Sequence, residues 1–151
     1  MSATFTLYVV DEGHLPSKME GLSDLEKYQK LLVAVKAKGS RWAGLKMDVL
    51  DFAGALETID GDIGGTGFLP VFAFNNSPHD VLGPACDCPS FGYFNPEQVK
   101  DLHAVLDEIP QQVVEELSST GGDVLEETFY AFKSASEEAA TRGYALAIIH
   151  S

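Results

Sequence analysis

The stretch FGYFNPEQVKDLHAVL, residues 91–106, carries the most strongly marked helix start in the chain. Asn95 is a good N-cap, Pro96 suits the first helical position because no N–H is needed there, and Glu97 favours the positive helix end. Gln98 completes an Asn-x-x-Gln box ahead of Val99, Leu102, Val105 and Leu106, which recur at helical spacing. The pattern predicts an amphipathic helix from about Pro96 to Glu108. Such a helix must bury its stripe against another element, so the surrounding segments decide the fold class.

Strand-like runs lie at both ends of the chain. Residues 3–10, ATFTLYVV, are rich in β-branched and aromatic side chains and stop at Asp11-Glu12-Gly13, and YALAIIH at 144–150 reads as a final strand. FLPVFAFN at 68–75 reads as a third, with Pro70 at a strand start or edge. Between them the period changes. Ser23 pairs with Glu26 ahead of Leu25, Tyr28, Leu32 and Val35, and Gly39 closes a lysine-rich end, which predicts a helix whose outer face bears Lys27, Lys30, Lys36 and Lys38. In RWAGLKMDVLDFAGALETI, residues 41–59, the positions Trp42, Leu45, Val49, Phe52 and Leu56 predict one or two helices packed on the core by Trp42 and Phe52. Pro110 opens a shorter helical piece through Leu117. A last long helix covers about 123–141, with Leu125, Phe129, Phe132, Ser136 and Ala139 or Ala140 inward and Gly143 beyond its end. GDIGGTG at 61–67 and residues 76–94 read as loops. The expectation is a single α+β domain over 1–151, with a small mixed sheet (3–10, 68–75, 144–150) and four to five helices.

A chain of 151 residues, 45% hydrophobic, can fill one sizeable core. No run approaches the roughly 18 apolar residues of a membrane span, and MSATFTLYVVDEGH has no basic segment before its apolar run. Two closely spaced cysteines make a poor disulfide framework, so a cytoplasmic protein is expected. The 23 acids against 10 bases give a formal charge of −13. That balance argues against binding nucleic acid or an anionic membrane. Many of the acids fall late in the chain: Glu115, Glu116, Asp123, Glu126, Glu127, Glu137 and Glu138 predict a negative face on the C-terminal helices. Such a face is either a solvated surface or a dock for a basic partner.

Catalytic patterns are weak. Cys86-Asp-Cys88 would need two further ligands for a closed metal site, with His79, Asp80, Asp87 and His103 nearest, and there is no second cysteine pair. A loop with two ordinary thiols is the simpler reading, and no metal or cofactor is expected. GDIGGTG lacks the Gly-Lys-Ser/Thr of a phosphate loop, and it leads into a strand-like run rather than the helix of a dinucleotide fingerprint. No Gly-x-Ser-x-Gly elbow is present, and carboxylate pairs are unspecific in so acidic a chain.

Three stretches together resemble the YfbM-like family of bacterial proteins: the segment around Trp42 leading to a glycine-rich turn, the 91–106 block, and DVLEETFYAFKSASEEAATRGYALAII near the end. The features of that pattern, a tryptophan-bearing helix, an aromatic before a Pro-Glu-x-Val helix start and a long helix with an aromatic pair feeding a last strand, fall on Trp42, Tyr93, Pro96, Glu97, Val99, Phe129, Tyr130 and the strand from Tyr144. The resemblance implies a compact α+β fold and says almost nothing of activity. The functional expectation is an acidic, non-enzymatic protein-binding domain, such as an immunity or antitoxin-like inhibitor of a basic partner. The alternative is a small-molecule-binding or hydrolytic enzyme with a pocket at the 61–67 and 76–94 loops, lined by His79, Cys86, Cys88 and Tyr93.

Overall fold

The structure is a computed structural model that describes residues 2–62, 68–82, 90–121 and 123–151. Strands β1 (Ser2–Val10), β2 (Ser40–Asp48), β3 (Phe91–Phe94) and β4 (Ala145–His150) form one sheet in the order β2-β1-β4-β3. All three pairings are antiparallel, so the sheet is not mixed as expected; a single parallel bridge, Asn75 to Phe91, lies outside the strands. The described helices are α1 (Asp24–Lys38), α2 (Val49–Asp62), α3 (Phe68–Phe74), α4 (Pro96–Glu108), α5 (Gln111–Gly121) and α6 (Asp123–Arg142), one more than the upper expectation, with 3-10 turns at Glu12–His14 and Pro78–Asp80. The class is α+β. None of the described helices is long and apolar enough to cross a membrane.

The sheet is covered on both faces. Strand alternation sends Phe5, Leu7 and Val9 of β1, with Leu146 and Ile148 of β4, into a core shared with α2 to α6. Val10, Ala145, Ala147 and Ile149 turn the other way and meet Tyr28, Leu31 and Val35 of α1. Because β4 is interior and covered on both sides, its first five residues are all buried, which is why it reads as an unbroken apolar run. Burial of Phe129, Phe132, Ser136 and Ala139 against the first core fixes α6 as expected, with Leu125 beside them. The Asn95 box is formed: Asn95 Oδ1 accepts from Gln98 N–H at 2.8 Å and Gln98 Oε1 from Asn95 N–H at 2.9 Å.

Three expected elements differ. The 68–75 strand is a helix, α3, whose Leu69 and Ala73, four apart, are fully buried. Pro70 is its third residue, where no intrahelical N–H bond is required, so the proline that suggested a strand edge suits a helix start equally. The 41–59 helices are instead the strand β2 followed by α2. Leu45 and Met47 alternate inward while Arg41, Gly44 and Lys46 are exposed, and Asp48 Oδ1 accepts from Leu50 N–H at 2.9 Å at the strand-to-helix junction. Trp42 is therefore on an edge strand, not on a core helix. Lastly, the end of the 76–94 loop is β3, short enough that its four residues show no telling alternation. Leu25, expected inward on α1, is 55% exposed, and Leu31 takes the buried position.

Candidate functional site

α6 divides lengthwise into two faces. Leu125, Thr128, Phe129, Phe132, Ala135, Ser136 and Ala139 occupy the inner one. At spacings of three and four, Asp123, Glu126, Glu127, Tyr130, Ser134, Glu137 and Glu138 form a stripe about 22 Å long on the outer one. Asp123, Glu127 and Glu137 are exposed, and Glu126 and Glu138 half-buried. On α5, Glu115 and Glu116 are exposed and each accepts from a glutamine one turn back, Gln111 at 3.1 Å and Gln112 at 3.2 Å. Those amide donors orient the two carboxylates. Glu138 differs: it accepts from Arg142 Nε at 2.5 Å, which offsets its charge.

An aromatic residue from elsewhere in the chain sits in the middle of this stripe. The Trp42 indole N–H donates to Ser134 Oγ at 2.8 Å, tying the edge strand β2 to the outer side of α6. The side chain is nonetheless 39% exposed. Toward the helix N-terminus, Asp123, Glu126, Glu127 and Tyr130 line a cleft of about 360 Å³. The Tyr130 hydroxyl oxygen is shielded from solvent and has no hydrogen-bond partner. Among the described residues, those of this acidic cleft included, no group of three or more His, Cys, Asp or Glu side chains is arranged to hold a metal ion. What the surface offers chemically is an amphipathic ring held at a fixed place between two sets of carboxylates. Sequence reasoning identified the acids but placed Trp42 inside; the one available signal was the Leu45-Met47 alternation, which makes 40–48 a strand and frees Trp42 from the helical register.

Of the residues expected to line the alternative pocket, Tyr93 and His79 are among those described. Tyr93 is buried on the α1 side of the sheet, where its hydroxyl donates to Glu12 Oε2. Burial first, then that hydrogen bond and the carboxylate charge, hold the phenol proton far above its usual range. His79 is exposed, with a positive φ of 53° in its 3-10 turn. Cys86, Cys88 and residues 63–67 of the glycine-rich loop lie outside the described residues.

The remaining histidine of note is structural. His150 Nε2 lies 3.0 Å from Ala73 O and its ring meets Phe5 and Phe74 edge-on at 4.9 and 5.1 Å, linking the end of β4 to α3. Burial lowers its pKa against the opposing effect of the Ala73 carbonyl. No family model, no curated protein and no solved structure matches this chain, so what it does is argued from its own surface.

Proposed function

We propose that the protein is a non-enzymatic binding domain that docks a basic protein partner on the outer stripe of α6, in the manner of an immunity or antitoxin-like inhibitor. The observation that carries this reading is the half-exposed Trp42, pinned by Ser134 within a stripe of five carboxylates of which Arg142 pairs with one, Glu138. Exposed aromatic anchors beside charged rims are what protein interfaces use: tryptophan supplies contact area at low entropic cost, and the charges steer the encounter. With a formal charge of −13, the chain attracts a basic surface over distances of about a Debye length.

The test is capture of a partner from the native host lysate at low and high salt, followed by kinetics with the purified pair. The expected result is one stoichiometric basic protein, an association rate that falls with salt, and about 30-fold or greater weakening in Trp42→Ala, the loss of a hot spot of roughly 2 kcal/mol. A partner whose association rate ignores salt, or one bound equally well by Trp42→Ala and by Glu126→Gln/Glu127→Gln, would sink the reading.

A further inference from the structure

Among the described residues α1 is the single α-helix on its side of the sheet, and its outward side is not uniformly polar. Val33 is 68% exposed. With Ala34 and Ala37, and with Leu15 and Pro16 of the preceding loop, it floors an open groove of about 660 Å³. The groove has opposite charge at its two ends, Glu26 at one and Lys38 at the other, with Lys30 between. Neither feature belongs to the α6 stripe, which lies in the layer across the sheet.

We infer that this groove is the contact of a two-fold homodimer, in which α1 packs antiparallel against α1 of a second copy. The charge pattern is self-complementary. Asp24 and Glu26 lie in the first turn, Lys36 and Lys38 in the last. A two-fold axis passing near Val33 sets Glu26 of each copy opposite Lys38 of the other, so one symmetry operation forms two ion pairs and also opposes the two helix dipoles. Glu26 already accepts from Ser23 Oγ at 3.2 Å through Oε1, which leaves its second oxygen for this contact. A wholly acidic or wholly basic segment would satisfy one end of the groove and oppose the other. Ala34 and Ala37 permit close approach, at the lower end of the roughly 8–10 Å interaxial range.

The remaining surface argues for the same face. Two copies of a chain with charge −13 repel each other, and least where Lys27, Lys30, Lys36 and Lys38 cluster. From Glu26 to Lys38 the contact runs about 18 Å at 1.5 Å per residue. A single helix pair of that length is at the small end of interface sizes, so the dimer dissociates in the micromolar range.

Sedimentation equilibrium of the full chain, from low micromolar to near-millimolar concentration, tests the inference. A monomer–dimer equilibrium is expected, abolished by Val33→Arg, which alters an exposed side chain and should leave the circular dichroism spectrum unchanged. Glu26→Lys and Lys38→Glu should each weaken self-association about tenfold or more, and mixing these two variants should restore a dimer, because each copy then supplies what the other lacks. A chain that stays monomeric throughout overturns the inference. So does a dimer that survives Val33→Arg, or a mixture that associates no better than its components.

Discussion

Replacing Gly92 by alanine probes the seat of α3 on the sheet, the element whose sequence reads as a strand but which is a helix. A Cβ at this position would lie 2.2 Å from Ala73 O, 2.7 Å from Ala73 C and 2.9 Å from Ile148 Cβ. Ordinary non-bonded contacts need about 3.5 Å or more, so β3 and α3 must part by more than about 1 Å. The first two atoms are backbone and cannot rotate away, and the same carbonyl faces His150 Nε2 at 3.0 Å. Overpacking in a core typically costs about 1–3 kcal/mol, and a backbone clash belongs at the upper end. For a chain of this size that predicts a melting temperature lower by about 6–12 °C, followed by far-ultraviolet circular dichroism with urea denaturation for the free energy. Gly54→Ala is the internal control: Gly54 lies in α2 with nothing within 4 Å of a built Cβ, and the change should stabilise by about 0.5–1 kcal/mol. If Gly92→Ala remains within about 0.5 kcal/mol of the parent while Gly54→Ala behaves as expected, α3 does not pack on β3 in the way described and the close-approach argument fails.

Two further outcomes concern the buried polar groups. Tyr93→Phe removes the hydrogen bond to Glu12 and should cost about 1–2 kcal/mol in urea denaturation near neutral pH, less than for a fully buried charged acceptor because Glu12 keeps some solvent contact. Since the folded phenol holds its proton far above the unfolded value, parent stability should also fall as pH rises past about 10, and a Tyr93→Phe chain that shows the same alkaline slope would contradict this. For His150 the sign is opposite to that of a paired histidine. Its folded pKa is depressed, so between that value and about 6.5 the unfolded chain binds more protons, and stability rises with pH across this window and is lost as pH falls below about 6.5. His150→Gln can still donate to Ala73 O but cannot titrate. Urea denaturation between about pH 5 and 8 should therefore show a smaller pH slope in the variant, and equal slopes would show that His150 is not buried in its neutral form.

Signals confined to one turn of chain were legible in the sequence. The Asn95–Gln98 box and the Ser23 cap, whose oxygen accepts from Glu26 N–H at 3.2 Å, require only residues three apart, so their geometry does not depend on the rest of the molecule. The same holds for the two faces of α6: twenty residues give the 3.6-residue period enough turns to separate Phe129 and Phe132 from Glu127 and Glu137 without ambiguity. The acidic stripe was thus readable as a stripe.

What the tertiary structure alone decided lies in short segments and in contacts between distant residues. FLPVFAF has seven apolar-rich residues that suit a strand or a helix, and it is a helix because Leu69 and Ala73 have a core to enter beside β3, across which Gly92 presents no side chain. Residues 40–48 mix a helical spacing with a strand alternation, and the alternation prevails because β1 offers Thr4, Phe5 and Leu7 as ladder partners. Trp42 shows the limit most directly. Its partner, Ser134, is 92 positions away, and whether the ring is core or surface depends on where α6 crosses the edge of the sheet. Local patterns encode what neighbouring residues can settle among themselves; the exposure of a side chain is set by every element that packs near it, and that sum is formed only in the folded molecule.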